Sequence, residues 1–433
     1  MNCSSLRSTS SVSRHVRKSR TAAFLSPLML LRLTAVMLVV CLVPLQTAEG
    51  QSARSWQTTR DAMVRDVLEP GGIRDPRVLE SMRTTPRHEF VQSHQRHLAY
   101  VDMALPIGES QTISGIFVVA YMTEQLQPEP TDTVLEIGTG SGYQAAVLSP
   151  LVKAVYSIEI HEPLGRRATK TLQRLGYENV FTRIGDGFAG WPEKAPFDKI
   201  IVTCSPEEVP QPLVEQLAEG GRMIIPVGTR YDQTLVLLTK RNGKLVEESL
   251  VPSLFVPMTG TAEDDRVIQP DGSAPHLANG GFEEQLPDSD TPTAWYYGRQ
   301  AAALQAAAAN GEWLLRLENR DAGRPAQIFQ GFPVDGREVR RLNVSLSVRA
   351  ENLVPGATPS QIPAVVVRFF NETRSRSSLV AFGEWSGSFE WRKQQTTMPV
   401  PHWAREAIMQ IGLMGATGRL EVDDVAVAPL EAL

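Results

Sequence analysis

Three glycines at alternate positions, Gly138, Gly140 and Gly142, have the spacing that most directly suggests chemistry. They follow a short apolar run, and helical spacing resumes at Tyr143, so the pattern predicts a strand, a tight turn and a helix. Glycines in such a turn let a ligand lie against bare backbone, where unpaired N–H groups favour a negative group. The stretch therefore predicts a nucleotide-binding turn.

Spacing also indicates which nucleotide the turn binds. The dinucleotide fingerprint requires a third glycine three positions after the second, and position 143 is tyrosine, which disfavours NAD. A P-loop is excluded because no Lys-Ser/Thr pair follows. Glu159 closes the next apolar strand, where it can accept hydrogen bonds from both ribose hydroxyls, so the residues favour S-adenosylmethionine. The alternative is a glycine turn that only packs a helix on a sheet, and Glu159 counts against it.

The surrounding elements must form a sheet that holds these residues at one edge. Helical and apolar segments alternate from 117 to 226, which predicts a parallel sheet covered on both faces. Asn242-Gly243 lies between two apolar runs and predicts an antiparallel hairpin at the sheet's edge. The expected fold is a doubly wound, mostly parallel, Rossmann-like α/β sheet. In it Asp186, between Gly185 and Gly187 at a strand end, suits the exocyclic amine of adenine, with a simple turn former as the alternative.

Composition limits the other classes of function. At 433 residues the chain exceeds one ordinary core, so two domains are expected. A net charge of −5 gives no basic excess, and no nucleic acid partner is predicted. Cys3 and Cys41 lie in the N-terminal leader, which leaves Cys204 alone in the body of the chain. Neither a disulfide nor a cysteine zinc site is expected after leader removal, and Cys204 is interpreted as a small core residue.

The leader, residues 1–50, resembles a secretory signal peptide. Arginines and a lysine precede a thirteen-residue apolar run at 33–45, and small residues two apart at Ala48 and Gly50 suit cleavage. The run is short for a membrane span. Export, with a periplasmic location, is the prediction; the alternatives are an uncleaved anchor and an overlong assigned start.

The segment 105–114 is rich in Pro, Gly and polar residues, so it is predicted to be a loop before the helix at 117–126. Together with the glycine turn it carries a family resemblance. The block Gln111-Thr112-Ile113-Ser114 is the most specific, and further matching blocks lie at 87–91, 134–143, 185–187, 209–213, 220–222 and 255–260. These residues resemble the protein-L-isoaspartate O-methyltransferases over roughly residues 60–266.

The resemblance implies a class I S-adenosylmethionine-dependent enzyme that methylates the free α-carboxylate of L-isoaspartyl residues in damaged proteins. In the family the serine matching Ser114 is the active-site residue. The resemblance assigns a domain to residues 55–262 and implies two groups of site residues. The cofactor site comprises Glu136, Gly138, Thr139, Gly140, Gly142, Glu159, Asp186 and Gly187, and the substrate loop comprises Asp102, Ile107, Gln111, Thr112 and Ile113.

The chain departs from the family pattern at three places. Ile116 replaces a proline, Cys204-Ser205 replaces two alanines, and Leu254 stands where a basic residue often precedes the 255–260 block. These changes bear on substrate fit more than on cofactor binding. They leave open a methyltransferase for another carboxylate.

Methyl transfer to a carboxylate does not require a strong general base, because the carboxylate is already ionised at neutral pH. Alignment of the reacting atoms and exclusion of water should dominate the rate gain. Ser114 is therefore expected to orient the carboxylate, since no histidine partner that would activate it as a nucleophile stands near it in the sequence. Asp102 is either part of the substrate loop or a structural turn residue.

An acidic segment rich in Gly and Pro, 263–275, reads as a linker to a second domain at 276–430. Seven apolar alternations in that domain predict a β-sandwich. Its opening residues 279–283 and closing residues 418–425 resemble carbohydrate-binding modules of the galactose-binding jelly-roll type. Such modules can hold calcium, for which Glu283 and Asp424 are weak candidates. Trp385, Trp391 and Trp403 are either sugar-stacking or core residues.

Two classes of function follow from the sequence. The leading interpretation is a repair methyltransferase joined to a sandwich domain with a possible carbohydrate ligand. The alternative is an exported sugar-binding protein whose methyltransferase domain is inactive or has another use. The complete set of glycines, Glu159, Asp186 and Ser114 favours the enzyme.

Overall fold

A computed structural model describes residues 47–372, 374 and 376–430. Most of the predicted leader, residues 1–46, lies outside this range, and so do Cys3 and Cys41. Residues from Trp56 onward belong to one compact unit, to which the contacts below refer. Among the residues that the structure describes, no helix has the length and the apolar content to cross a bilayer.

The first domain opens with two helices and two short 3₁₀ turns. Helix α1 spans Thr47–Met63 and continues as a π-helical turn, Val64–Leu68. Helix α2, Pro76–Thr84, begins with proline at its first position, and the Asp75 side chain accepts a hydrogen bond from the Arg77 amide, as an N-cap should. Short 3₁₀ turns follow at Arg87–Glu89 and Ser93–Leu98.

The segment predicted as a loop is a β-hairpin, and this prediction was wrong. Strand β1 (Leu105–Gly108) pairs antiparallel with β2 (Gln111–Ile113), and Leu105, Ile107 and Ile113 are buried. The turn uses positive φ at Glu109 and Ser110, a conformation suited to a tight hairpin. Alternate burial along these few residues stabilises the hairpin although its composition is typical of a loop.

A seven-stranded sheet forms the centre of this domain, in the order β5-β4-β3-β6-β7-β8-β9. The first five of these strands run parallel, and β8 and β9 add the antiparallel hairpin that Asn242-Gly243 predicted. The strands are β3 (Thr133–Ile137), β4 (Ala154–Glu159), β5 (Val180–Ile184), β6 (Phe197–Val202), β7 (Leu217–Gly228), β8 (Gln233–Arg241) and β9 (Lys244–Ser253). The doubly wound α/β prediction is confirmed.

Helices alternate with the parallel strands along the chain. They are α3 (Ile116–Leu126), α4 (Tyr143–Leu148), α5 (Glu162–Arg174) and α6 (Gln211–Gln216), with the short α7 (Thr261–Asp264) after the sheet. Strand order reverses between β3 and its two neighbours β4 and β6. The crevice at the carboxyl ends of such strands is where doubly wound sheets bind ligands.

The second domain is a sandwich of two five-stranded antiparallel sheets, as predicted. One sheet has the order β10-β13-β18-β15-β16 and the other β11-β12-β19-β14-β17. The strands are β10 (Tyr296–Arg299), β11 (Ala301–Gln305), β12 (Trp313–Asn319), β13 (Gln327–Pro333), β14 (Arg341–Val354), β15 (Ala364–Phe370), β16 (Ser377–Phe382), β17 (Gly387–Pro399), β18 (Glu406–Gly412) and β19 (Thr417–Pro429). Strands β10, β11 and β17 were not predicted. Each lies at an edge of its sheet, where a strand needs less apolar alternation.

The two domains have separate hydrophobic cores. The predicted linker is nevertheless packed on the first domain at its start: Arg266 is buried and donates to the carbonyls of Ser205 and Gly228. Glu207 accepts the amides of Val267 and Ile268. The linker therefore follows the surface of the first domain before it enters the sandwich.

Candidate functional site

The glycine turn lies at the carboxyl end of β3, where the prediction placed it. Gly138, Gly140 and Gly142 all have positive φ. A Cβ on Gly138 would stand 2.5 Å from Thr203 Oγ1, and one on Gly140 would stand 3.3 Å from the Ile107 side chain. Both the backbone conformation and the close neighbours therefore require glycine here.

Glu159 ends β4 beside this turn and is 5% exposed. Its Oε2 accepts the Gly140 amide at 2.7 Å, and its Oε1 accepts the His161 amide at 2.9 Å. Each carboxylate oxygen can accept a further hydrogen bond. The carboxylate is thus held in a fixed orientation at the position predicted for a ribose partner.

The side chains of Glu136 and Thr139 are buried and share one hydrogen-bond partner, Ser157. Parallel pairing of β3 with β4 places Glu136 opposite Ser157, whose hydroxyl donates to the Glu136 carboxyl and lies 2.5 Å from Thr139 Oγ1. Burial raises the pKa of Glu136 to about 8, with a smaller contribution from Glu159 in the same direction. Glu136 has no exposed surface, so the structure gives it a role in supporting the turn.

Asp186 and Gly187 stand at the end of β5. Asp186 Oδ1 accepts the Phe188 amide at 2.9 Å, and Oδ2 accepts both the amide and the hydroxyl of Thr261. Burial raises the pKa of Asp186, but these hydrogen bonds outweigh it and hold the pKa below its usual range. A Cβ on Gly187 would stand 2.3 Å from Ile137 Cγ2, so only glycine lets the segment pack against the end of β3.

The hairpin β1–β2 lies next to the glycine turn and is fastened to the β4–α5 connection. Ile107 packs toward Gly140, and Arg167 on α5 donates to the Ile107 carbonyl. Gln111 Nε2 lies 3.2 Å from His161 Nε2. The predicted substrate segment therefore stands over the predicted cofactor segment, as transfer between two ligands requires.

Ser114 follows the hairpin and precedes Gly115, the N-cap residue of α3. Its side chain is half-buried, and its carbonyl accepts Arg87 Nη2 at 2.6 Å. Arg87 is fully buried, also donates to the Ala99 carbonyl, and stacks on Tyr143 with 4.8 Å between Cζ and the ring centroid. Thr112 is half-buried, whereas Ile113 points into the core, so its contribution to the substrate loop is packing.

Asp102 has two partners within the protein. Its Oδ1 accepts the Phe117 amide at 2.9 Å, and its Oδ2 lies 3.0 Å from Arg299 Nη2 in the sandwich. The carboxylate therefore caps α3 and forms an ion pair between the two domains. This geometry matches the structural alternative that the sequence left open for Asp102.

The residues that depart from the family pattern face packed surroundings. Ile116 and Ser205 have no exposed side-chain surface, and the Ser205 amide donates to the Val256 carbonyl. Burial raises the pKa of the Cys204 thiol, so the thiol is protonated at neutral pH. Both backbone groups of Leu254 contact the Tyr297 hydroxyl of the sandwich.

An open cavity of about 740 Å³ lies beside the end of β6, between the segment 206–211 and the start of the linker. Phe188, next to Gly187, forms part of its wall. Its rim is acidic at Glu207, Glu208 and Asp265 and apolar at Val209, Val267 and Ile268.

The two candidate calcium ligands of the sandwich, Glu283 and Asp424, accept hydrogen bonds from the protein. Glu283 Oε1 accepts the amides of Glu312 and Trp313, and Asp424 Oδ1 accepts the Asn310 side-chain amide. Within the described residues no group of three acidic, histidine or cysteine side chains could hold a metal ion. The structure thus shows no ligand set of the size that calcium takes, and calcium stays a prediction.

The candidate sugar-stacking tryptophans differ in position. Trp385 is 2% exposed in the sandwich core, which removes it from any sugar site. Trp391 lies half-buried on the edge strand β17 with the Arg349 guanidinium over its ring, and Arg376 lies similarly over Trp403.

Several contacts of the site join residues that the sequence does not mark as partners. Arg87 belongs to a matching block, but nothing marked it as the residue that holds Ser114. His161, Arg167 and Thr261 were not singled out, although His161 and Thr261 stand close in sequence to predicted site residues. Arg299 carried no local signal, because its partner is 197 residues away.

The predicted cofactor residues fit S-adenosylmethionine. The chain provides a buried, pre-oriented carboxylate at the end of β4, a turn with three glycines at the end of β3, and Asp186 with hydrogen bonds at the end of β5. All three converge on the crevice where the strand order reverses.

Comparison with known proteins gives the same assignment. The family model described as protein-L-isoaspartate(D-aspartate) O-methyltransferase matches residues 58–263. The protein-L-isoaspartate O-methyltransferase of Opitutus terrae is 51% identical over 230 residues, which are 53% of this chain and 97% of the relative. The enzyme of the same name from Gloeobacter violaceus is 52% identical over 198 residues, 46% of this chain and 97% of the relative.

Solved structures include a protein-L-isoaspartate O-methyltransferase that is 32% identical, with a TM-score of 0.44, covering 47% of this chain and 67% of that one. A family 16 carbohydrate-binding module aligns at 15% identity with a TM-score of 0.26, over 35% of this chain and 98% of that one. The sequence relatives are matched over nearly their whole length. This chain therefore belongs to the protein-L-isoaspartate O-methyltransferase family.

Proposed function

We propose that this chain methylates the free α-carboxylate of L-isoaspartyl residues in damaged proteins. Family membership supports the reaction, and one observation carries it at the level of residues. The hairpin leading to Ser114 lies over the glycine turn and is fastened beside Glu159 through Gln111 and His161. Substrate and cofactor residues are therefore neighbours in one crevice.

S-adenosylmethionine, when bound, supplies an electrophilic methyl group, and the products are the methyl ester and S-adenosylhomocysteine. Glu159 accepts the ribose hydroxyls while the Gly140 and His161 amides keep its carboxylate in place. Asp186 accepts the adenine amine beside the hydrogen bonds from Thr261. The three glycines place no side chain of their own in the space between the Glu159 and Asp186 carboxylates.

Ser114 orients the substrate carboxylate through its hydroxyl. Within the described residues that hydroxyl makes no hydrogen bond to the protein, while the Ser114 carbonyl is held by Arg87. A hydroxyl in this setting can donate to a carboxylate without first breaking a protein contact. No proton transfer is required, since the carboxylate reacts in its ionised form.

The test compares two peptides that differ only in the linkage of one aspartate. With labelled S-adenosylmethionine, we expect label in the isoaspartyl peptide and none in the normal aspartyl peptide. Equal labelling of both would favour a methyltransferase for another carboxylate. If neither is labelled while calorimetry still detects cofactor binding, the domain has another use, as the sugar-binding alternative requires.

We further propose export of the protein, supported by the basic, apolar and small-residue pattern of the leader. Mass spectrometry of the native protein should find an N-terminus close to Gln51. An intact Met1, or a start near Met63, would instead favour the cytoplasm, where the family usually acts and where its cofactor is made.

A carbohydrate ligand for the sandwich is the last part of the proposal. It depends on the jelly-roll resemblance and on the half-buried rings of Trp391 and Trp403. Titration with a panel of soluble oligosaccharides should quench tryptophan fluorescence in the wild type and not in Trp391→Ala. Quenching that persists in Trp391→Ala would point to Trp403. Unchanged fluorescence with every oligosaccharide would exclude a carbohydrate ligand from this panel.

A further inference from the structure

The first turn of α3 receives its cap from a distant residue. Gly115 stands at the N-cap position and has no side chain to accept a helix amide. Asp102 Oδ1 takes this role by accepting the Phe117 amide at 2.9 Å. The amide at this second helical position is the one that an N-cap side chain usually satisfies. The segment 114–117, the Ser114 turn, leads into this helix and is therefore held at its Phe117 end by Asp102.

Arg299 of the sandwich holds Asp102 in this position. Its Nη2 lies 3.0 Å from Asp102 Oδ2, and the two side chains are 23% and 20% exposed. Its Cζ also lies 4.0 Å from the centroid of the Phe117 ring, within the range of a cation–π contact. One guanidinium thus contacts both the capping carboxylate and the residue whose amide is capped.

The strand that carries Arg299 is fixed to the first domain by a second contact. Tyr297, two residues earlier, donates its hydroxyl to the Leu254 carbonyl at 2.8 Å. Leu254 directly precedes Phe255, whose amide donates to Gln233 Oε1 in β8. The guanidinium is therefore presented from a docked strand, which lowers the conformational entropy lost when it pairs with Asp102.

Ser114 is thus restrained on two sides. Arg87 holds its carbonyl from within the first domain, and the Asp102–Arg299 pair holds the amide three residues later. We propose that Arg299 is a positioning residue for methyl transfer, through which the sandwich keeps the Ser114 turn in its active geometry. The inference depends on the proposed function, because it assigns Ser114 to substrate binding.

The test uses the full-length chain with Arg299→Met. We expect kcat/KM for an isoaspartyl peptide to fall by about 3- to 10-fold, while the Kd for S-adenosylmethionine changes by less than about twofold. Arg299→Lys, which keeps the charge, should recover part of the loss. Arg419→Met is the matched control, since Arg419 pairs with Glu318 and Glu351 inside the sandwich. It should leave kcat/KM within about twofold of the wild type.

A double-mutant cycle separates positioning from general stability. In an Asp102→Ala background, Arg299→Met should have little further effect on kcat/KM, because Arg299 acts through Asp102. An equal loss in both backgrounds, or an unchanged kcat/KM in Arg299→Met, would overturn the proposal.

Hydrogen exchange gives a measurement that does not depend on catalysis. The amide of Phe117 should exchange faster in Arg299→Met than in the wild type and Arg419→Met, because its acceptor is less firmly held. Unchanged exchange at the Phe117 amide would contradict the positioning role of Arg299, even if kcat/KM fell. If the wild type methylates no isoaspartyl peptide, the proposed function fails, whereas the exchange measurement still decides whether Arg299 holds the turn.

Discussion

At Ser114 a single hydroxyl is expected to orient the reacting carboxylate. Ser114→Ala should lower turnover on an isoaspartyl peptide by roughly 10- to 100-fold, because a positioned hydrogen bond to a charged group is lost. Cofactor affinity should be nearly intact, since Ser114 is not among the cofactor residues. Steady-state kinetics with calorimetry measures both quantities. A loss of several thousandfold would instead indicate a nucleophilic serine.

Glu159 should contribute more to cofactor affinity than any exposed acidic neighbour. Glu159→Ala removes the predicted ribose acceptor together with the acceptor of the Gly140 amide, so S-adenosylmethionine binding should weaken by roughly 1.5–3 kcal/mol. The control is Glu162→Gln, whose exposed partner is Arg166. Calorimetric affinities that are equal in the two variants would remove Glu159 from the site.

Glu136 should make stability depend on pH. Its pKa rises from 4.5 to about 8 in the folded protein. Between these values the unfolded chain has lost the proton and the native protein keeps it, so the free energy of unfolding decreases as pH rises, by on the order of 1 kcal/mol per pH unit. Glu136→Gln should abolish this slope in urea unfolding at pH 5 to 8. An identical slope in both proteins would show that Glu136 ionises normally.

Residues whose role depends on the adjacent sequence could be predicted. The glycine turn and Glu159 stand at the ends of apolar strands, and the direction of a parallel sheet brings them together. The roles of Glu136 and Arg87 depend on burial and on pairing across strands or segments, which one sequence does not display. Thus Glu136 was predicted to bind the cofactor, and the structure shows its side chain buried against Ser157 of β4.

At the scale of elements, the site depends on how closely the segment after β5 approaches the end of β3. Gly187→Ala would place a methyl group 2.3 Å from Ile137 Cγ2, so we expect a loss of stability of about 1–3 kcal/mol and weaker cofactor binding. Gly185→Ala is the matched control, because nothing lies within 4 Å of a Cβ there. Thermal unfolding of both variants, with and without S-adenosylmethionine, measures the difference. Equal unfolding temperatures of the two variants would show that the segment after β5 can move away from Ile137 without loss of stability.

The predictions of secondary structure failed where composition indicates one element and the burial of the side chains indicates another. The segment 105–114 has the residues of a loop, yet alternate side chains at Leu105, Ile107 and Ile113 are buried and make it a hairpin. Strand β17 was missed for the opposite reason, since most of its side chains are exposed and it shows no apolar alternation. Edge elements of this kind are defined by their neighbours.

At the scale of the whole molecule, separate cores predict that the first domain folds alone. The buried Arg266 shows that a truncation must retain the start of the linker, so the shortened chain should end at Pro275. The shortened protein should unfold cooperatively and bind S-adenosylmethionine with a Kd within about threefold of the wild type. Its kcat/KM should fall as in Arg299→Met. Loss of cooperative unfolding would show that the domains share a core.

The bridge between Asp102 and Arg299 also bears on how the two positions can vary in evolution. The helix cap alone needs only a side-chain oxygen at the place of Asp102 Oδ1, so asparagine at position 102 would satisfy it as well as aspartate. A chain with the sandwich is constrained further, because losing the carboxylate leaves a partly buried guanidinium without its counter-charge. The second domain thereby narrows the choice at position 102, whose side chain caps the helix that follows Ser114. Exchange of the sandwich for another module would widen that choice again.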